Sequence, residues 1–229
     1  MTIKSKRSYW IAGILALLLV GGIGCAVMST AMQSKRDRFV IDAEIDANAV
    51  VNEYGDTRLH LAAITDYSHK GVCGLEQVEI LVSAGADVNA KNNRGWTPLR
   101  MVMSTAKPDI EIVQFLISSG ADVNTKCEQG ITPLHMAVAM EDMKLIELLV
   151  SKGADVNAEN VYGFTPLHWV VTRFFVHESG THYPSIEIAK FLVSAGADVH
   201  AKNNEGKTPL DTAKENGHTV AVEYLSSIR

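Results

Sequence analysis

Three histidines occupy one recurring place in this chain. His60, His135 and His168 each close a four-residue block that begins with threonine and has leucine third. Histidine serves as a general base, a proton shuttle or a metal ligand, so three at matched positions raise catalysis and metal binding together. Two more, His177 and His182, flank Glu178 within 176–185 and form the one loop set that suggests a metal. Their spacing matches no established ligand pattern, and an exposed loop is a poor scaffold for a preorganised site. Cys73 and Cys127 lack the paired CxxC spacing that signals zinc. No glycine-rich phosphate loop follows a strand, and no nucleophile elbow is present. The expectation is a chain with no catalytic residues, no bound metal and no cofactor. A metal-binding or enzymatic role for 176–185 is the lesser alternative.

The histidines make sense once the elements around them are read. Their block recurs as Thr57-Arg58-Leu59-His60, Thr97-Pro98-Leu99-Arg100, Thr132-Pro133-Leu134-His135, Thr165-Pro166-Leu167-His168 and Thr208-Pro209-Leu210-Asp211. Twelve residues before each of the last four stands a second block, Gly-Ala-Asp-Val-Asn at Gly85, Gly120 and Gly153, and Gly-Ala-Asp-Val-His at Gly196. Threonine is a good helix N-cap, because its hydroxyl accepts a bond from a free amide of the first turn. Proline directly after it loses nothing there, since that N–H is unpaired anyway. Each Thr-Pro therefore starts a short apolar helix. A second, amphipathic helix follows, as in Leu145, Ile146, Leu148, Leu149 and Val150 against Lys144, Glu147 and Lys152. Glycine ends it, and Asp and Asn supply the turn to the next unit.

The threonines are 40, 35, 33 and 43 residues apart. A period near 33 with the block Thr-Pro-Leu-His resembles the ankyrin repeat. The resemblance implies an all-α solenoid of paired helices joined by hairpin-like turns, with five units at 53–92, 93–127, 128–160, 161–203 and 204–229. One unit cannot bury its apolar face alone, and stacking supplies the missing partner. Ankyrin histidines typically bond between neighbouring units, which accounts for His60, His135 and His168 as structural. Arg100 and Asp211 depart from that pattern, so the joint after the second unit is suspect. The first unit has Arg58 in place of proline. Measured from Asn52, its turn is three residues short, and residues 37–51 are expected to form a partial helix packing on it. Extra residues between paired helices fall around 66–75 and 176–185, read either as tolerated insertions or as contact loops.

The resemblance also implies a protein partner, bound along the concave side by turn tips and inner-helix ends. The tip positions are Tyr54, Asp56, Arg94, Trp96, Gln129, Ile131, Tyr162, Phe164, Glu205 and Lys207; the helix ends add Ser104, Thr105, Ala139, Met140, Thr172 and Arg173. Trp, Tyr and Arg most often dominate interface energy. Trp96, Tyr162 and Phe164, with Arg94 and Arg173, are the expected contact patch. The competing reading has Trp96 and Phe164 packing on neighbouring turns.

Residues 9–28 form an uncharged apolar run long enough to span a bilayer as a helix. Lys4, Lys6 and Arg7 precede it, and Lys35, Arg36 and Arg38 follow. The expectation is an uncleaved signal anchor (1–28), then a linker and partial cap (29–52), then the repeats (53–229), monomeric and extracytoplasmic by the positive-inside tendency. The alternative is a cleaved or lipid-modified extracytoplasmic protein acting as an accessory or protective factor, with Ser29-Thr30-Ala31 or Gly22-Ile23-Gly24-Cys25 as processing sites. Residues 29–229 carry a net charge of −8, with 18 basic side chains against 26 acidic. That balance argues against nucleic acid, which needs a basic face.

Overall fold

The computed structural model describes residues 46–64, 74–172 and 186–228. Ten helices lie among them. They are α1 (Arg58–Ala63), α2 (Gly74–Ser83), α3 (Pro98–Met103), α4 (Ile110–Ser118), α5 (Pro133–Ala139), α6 (Met143–Ser151), α7 (Pro166–Val170), α8 (Ile186–Ser194), α9 (Pro209–Glu215) and α10 (Thr219–Ser227). Odd-numbered inner helices begin at the predicted threonine caps. Thr132 has extended backbone (φ −95°, ψ 165°), and its hydroxyl accepts from His135 N–H at 3.4 Å. α1 starts at Arg58 without a proline, capped by Thr57 in the same backbone region.

Each inner helix packs on the outer helix that follows it, and on the inner helices of the neighbouring units. The leucine of every block from Leu59 to Leu167 is fully buried between units. Outer helices bury one face, such as Leu145, Ile146 and Leu149 of α6. Gly153 ends α6 at φ +87°, a region that favours glycine, which lets Ala154 N–H fold back onto the Leu149 carbonyl at 2.9 Å. This is the all-α repeat stack that the sequence implied. Among the described residues no helix is long and apolar enough to cross a membrane. The expected anchor at 9–28 lies outside the described residues, as do most of the inserts at 66–75 and 176–185.

One asparagine ladder joins the successive turns from Asn48 to Asp198. Asn48, Asn89, Asn124 and Asn157 each donate through Nδ2 to the carbonyl of Gly85, Gly120, Gly153 and Gly196 in the next unit, at 2.9–3.2 Å. Their Oδ1 atoms accept from the N–H of Asp87, Asp122, Asp155 and Asp198, at 2.6–2.8 Å. Asn48, not Asn52, therefore starts the first turn. Asn52 instead matches Asn92, and both accept two backbone N–H groups across their turns. The expected shortening of that turn is wrong: Asn48 and Asn52 are four residues apart where Asn89 and Asn92 are three. Residues 46–51 form turn and a single bridge, Val50 to Thr57, rather than a helix.

Candidate functional site

The tip turns are built by asparagines that the sequence reading passed over. In 92–96 the Asn92 Oδ1 accepts from Arg94 and Trp96 N–H, both at 2.9 Å, and Asn160 and Asn203 act alike in their own turns. This fixes which way the tip side chains project. Tyr54, Asp56, Arg94 and Trp96 are brought together with the inner-helix ends Ile64, Met101, Ser104 and Thr105 around a concavity of about 550 Å³. Arg94 lies over both rings, 5.4 Å from the Tyr54 centroid and 5.7 Å from that of Trp96. Tyr54 is 50% exposed and Trp96 half-buried.

Asp56 sits at 5% exposure. Burial alone pushes its carboxyl up, but amides of Asn52 (2.9 Å) and Asn92 (2.7 Å), with His60 and Arg94 nearby, outweigh this and hold it below the usual carboxylate range. It is an ionised group committed to organising two turns.

The other tip residues do not all remain available. Tyr162 is 62% exposed and free for contact. Phe164 is half-buried, with its ring edge-on to His168 at 5.5 Å and its carbonyl bonded by His135. Lys207 is bonded to Glu205 and Glu215, both at 2.8 Å, which hold its ammonium charged. Gln129 accepts from the Cys127 thiol at 3.2 Å, and Ile131 is half-buried. Thr172 is 3% exposed and donates to the Trp169 carbonyl. Arg173 lies outside the described residues, as do His177, Glu178, His182 and Cys73. Cys127 is a buried free thiol.

The histidines act between units. His135 Nε2 is 3.0 Å from the Phe164 carbonyl, and a carbonyl only accepts, so Nε2 carries the proton. Nδ1 is then bare and accepts from the Thr132 hydroxyl at 2.9 Å and the Thr132 N–H at 3.3 Å. His60 reaches the Trp96 carbonyl (2.8 Å) and His168 that of Lys207 (3.1 Å) in the same way. Asp211 keeps the capping half of the role, accepting from Thr208 N–H and Oγ1–H.

The pattern covers nearly all of the array. The model for ankyrin repeats in three copies matches residues 16–127, 71–160 and 101–178, and that for a single ankyrin repeat matches 162–204. The chain belongs to the ankyrin-repeat family. Ankyrin arrays are typically protein-interaction modules rather than enzymes. No curated protein matches the chain.

Against the ankyrin pattern one joint stands out. Between the first and second units, Asn93 N–H bonds the Tyr54 carbonyl (2.9 Å); Val161 and Asn204 make the same tip bond to Gln129 and Tyr162 (3.0 Å each). Between the second and third units Glu128 and Arg94 make no such bond. Tip glycines report the same gap. A Cβ on Gly130 would meet Asn160 and Val161 backbone at 2.9–3.1 Å, whereas one on Gly95 would have nothing within 4 Å. Here Cys127 replaces the turn asparagine, and Arg100 replaces the bridging histidine.

Proposed function

We propose that this ankyrin array is a protein-recognition module whose partner lies along the tip turns and inner-helix ends. The observation that carries it is the concavity where Tyr54, Arg94 and Trp96 meet Ile64, Met101, Ser104 and Thr105. Aromatic side chains on fixed turns lose little freedom on binding, and Tyr, Trp and Arg most often dominate interface energy. Trp96→Ala and Tyr162→Ala should each weaken partner binding, with a thermal midpoint that stays close to that of the parent. Intact binding by the double variant would sink the proposal. Phe164→Ala is expected to lower the midpoint, because that ring packs on His168.

The apolar run at 9–28, preceded by Lys4, Lys6 and Arg7, supports a membrane tether with the repeats on the extracytoplasmic side. Protease treatment of intact cells carrying a C-terminal epitope tests this: digestion before lysis fits the proposal, and protection until lysis reverses the orientation. A cleaved or lipid-modified accessory factor is the second reading, favoured by Gly22-Ile23-Gly24-Cys25. The mass of the mature N-terminus separates the two.

A further inference from the structure

The joint between the second and third units departs from its neighbours in three independent ways. It lacks the tip-to-tip backbone bond, its turn has Cys127 for asparagine, and Arg100 stands where a histidine elsewhere bonds the next turn. The Asn89 rungs to Gly120 and Asp122, which join the same two turns (87–96 and 120–131), remain closed, at 2.9 and 2.8 Å. The units are therefore held together along the ladder and parted at the tips.

Arg100 lies in that gap. Its side chain is 8% exposed, yet Nε has no hydrogen-bond acceptor. One terminal nitrogen reaches only the Met136 sulfur, a weak acceptor. The guanidinium is 5.2 Å from the Trp96 centroid, on a ring that also carries Arg94 at 5.7 Å. Arg94 is exposed and makes no ion pair among the described residues. Two guanidinia thus share one indole, and neither is ion-paired among the described residues. A buried cation with unsatisfied donors is costly, and the missing group is an anionic acceptor. Asp56 accepts from Asn52 and Asn92 and is hydrogen-bonded to neither guanidinium, although the Arg94 charge reaches it.

Resting on the protein-recognition reading, we infer that this parted joint receives an acidic side chain of the partner, an Asp or Glu inserted beside Trp96 and held by Arg100 within and Arg94 at the mouth. A carboxylate matches the planar fork of a guanidinium and would satisfy the idle Nε. The local pair of arginines selects an acidic segment although the chain as a whole is acidic.

Selection of random dodecapeptides on the full chain in detergent micelles tests this. The expected result is enrichment of Asp or Glu at one or two fixed positions. The winning peptide, synthesised, should bind about tenfold more weakly to Arg94→Gln and to Arg100→His. Its affinity for the parent should fall as salt rises. Lys190→Gln, which removes a charge on an outer helix already paired with Glu187 at 3.3 Å, should bind as the parent does. Arg100→His restores the family residue, so loss of acidic binding by a variant of equal or higher thermal midpoint separates recognition from misfolding. Winners that are basic or uncharged, or acidic winners retained equally by both arginine variants, would overturn the inference and leave protein recognition standing. No enrichment over bare micelles would defeat both.

Discussion

Acid should loosen this array well above the carboxylate range, and His135 sets the window. Its ring is fully buried, which lowers its pKa most; the Phe164 carbonyl bond and Asp155 oppose this, Lys126 and Arg100 add to it, and the net value is about 4 against an ordinary 6.5. Protonating Nδ1 would point a new N–H at the Thr132 N–H and break the cap. The folded state thus holds the neutral ring while the unfolded chain takes up a proton below about 6.5. Stability from this group is fully present above the unfolded value and is lost as pH falls toward 4. A 2.5-unit gap corresponds to about 3 kcal/mol. His168, lowered by burial against the pull of the Lys207 carbonyl and Glu159, acts in the same direction. Carboxylates held low, Asp56 and Asp211, give up their share only below this window. The assay is urea unfolding followed by circular dichroism at several pH values between 7 and 4, with histidine ring shifts read by NMR. His135→Gln should be less stable at pH 7 and show a flatter pH profile. A His135 that titrates near or above 6.5 in the folded protein would refute the argument.

Other expectations follow from single contacts. Gly130→Ala should destabilise more than Gly95→Ala: both carry positive φ and its cost of about 1–2 kcal/mol, but only Gly130 faces backbone within about 3 Å. Equal losses in urea midpoints would mean that the second joint is closed like the others. Asn124→Ala removes a donor and an acceptor that join two units, and should cost about 1–3 kcal/mol in the same assay. Arg100→His should gain about 1 kcal/mol by restoring the bridge to the next turn.

The fold was legible because its signals are local. Thr-Pro starts, glycine stops and apolar periodicity each act within a few residues, and the same blocks recur. The ladder was less legible. Asn89, Asn124 and Asn157 were visible as repeated turn residues, but their bonds run to the next unit, 29–39 residues away in sequence. Asn48 was missed because its turn holds one extra residue and lacks the Gly-Ala that precedes the others. Arg100 was noticed as a departure. Its meaning needed Cys127, Gly95 and Trp96 seen at one joint. Phe164 and Trp96 look alike in sequence, yet one packs edge-on to a histidine while the other lies against two cations.

The central claim is that the tip turns and inner-helix ends are the binding face. A photoreactive phenylalanine placed singly at position 54 or 162, and for contrast at 147 or 190 on outer helices, would map the contact in living cells. One specific protein adduct from 54 and 162, absent from 147 and 190, is the predicted result. Adducts from the outer-helix positions with none from the tips would contradict the account.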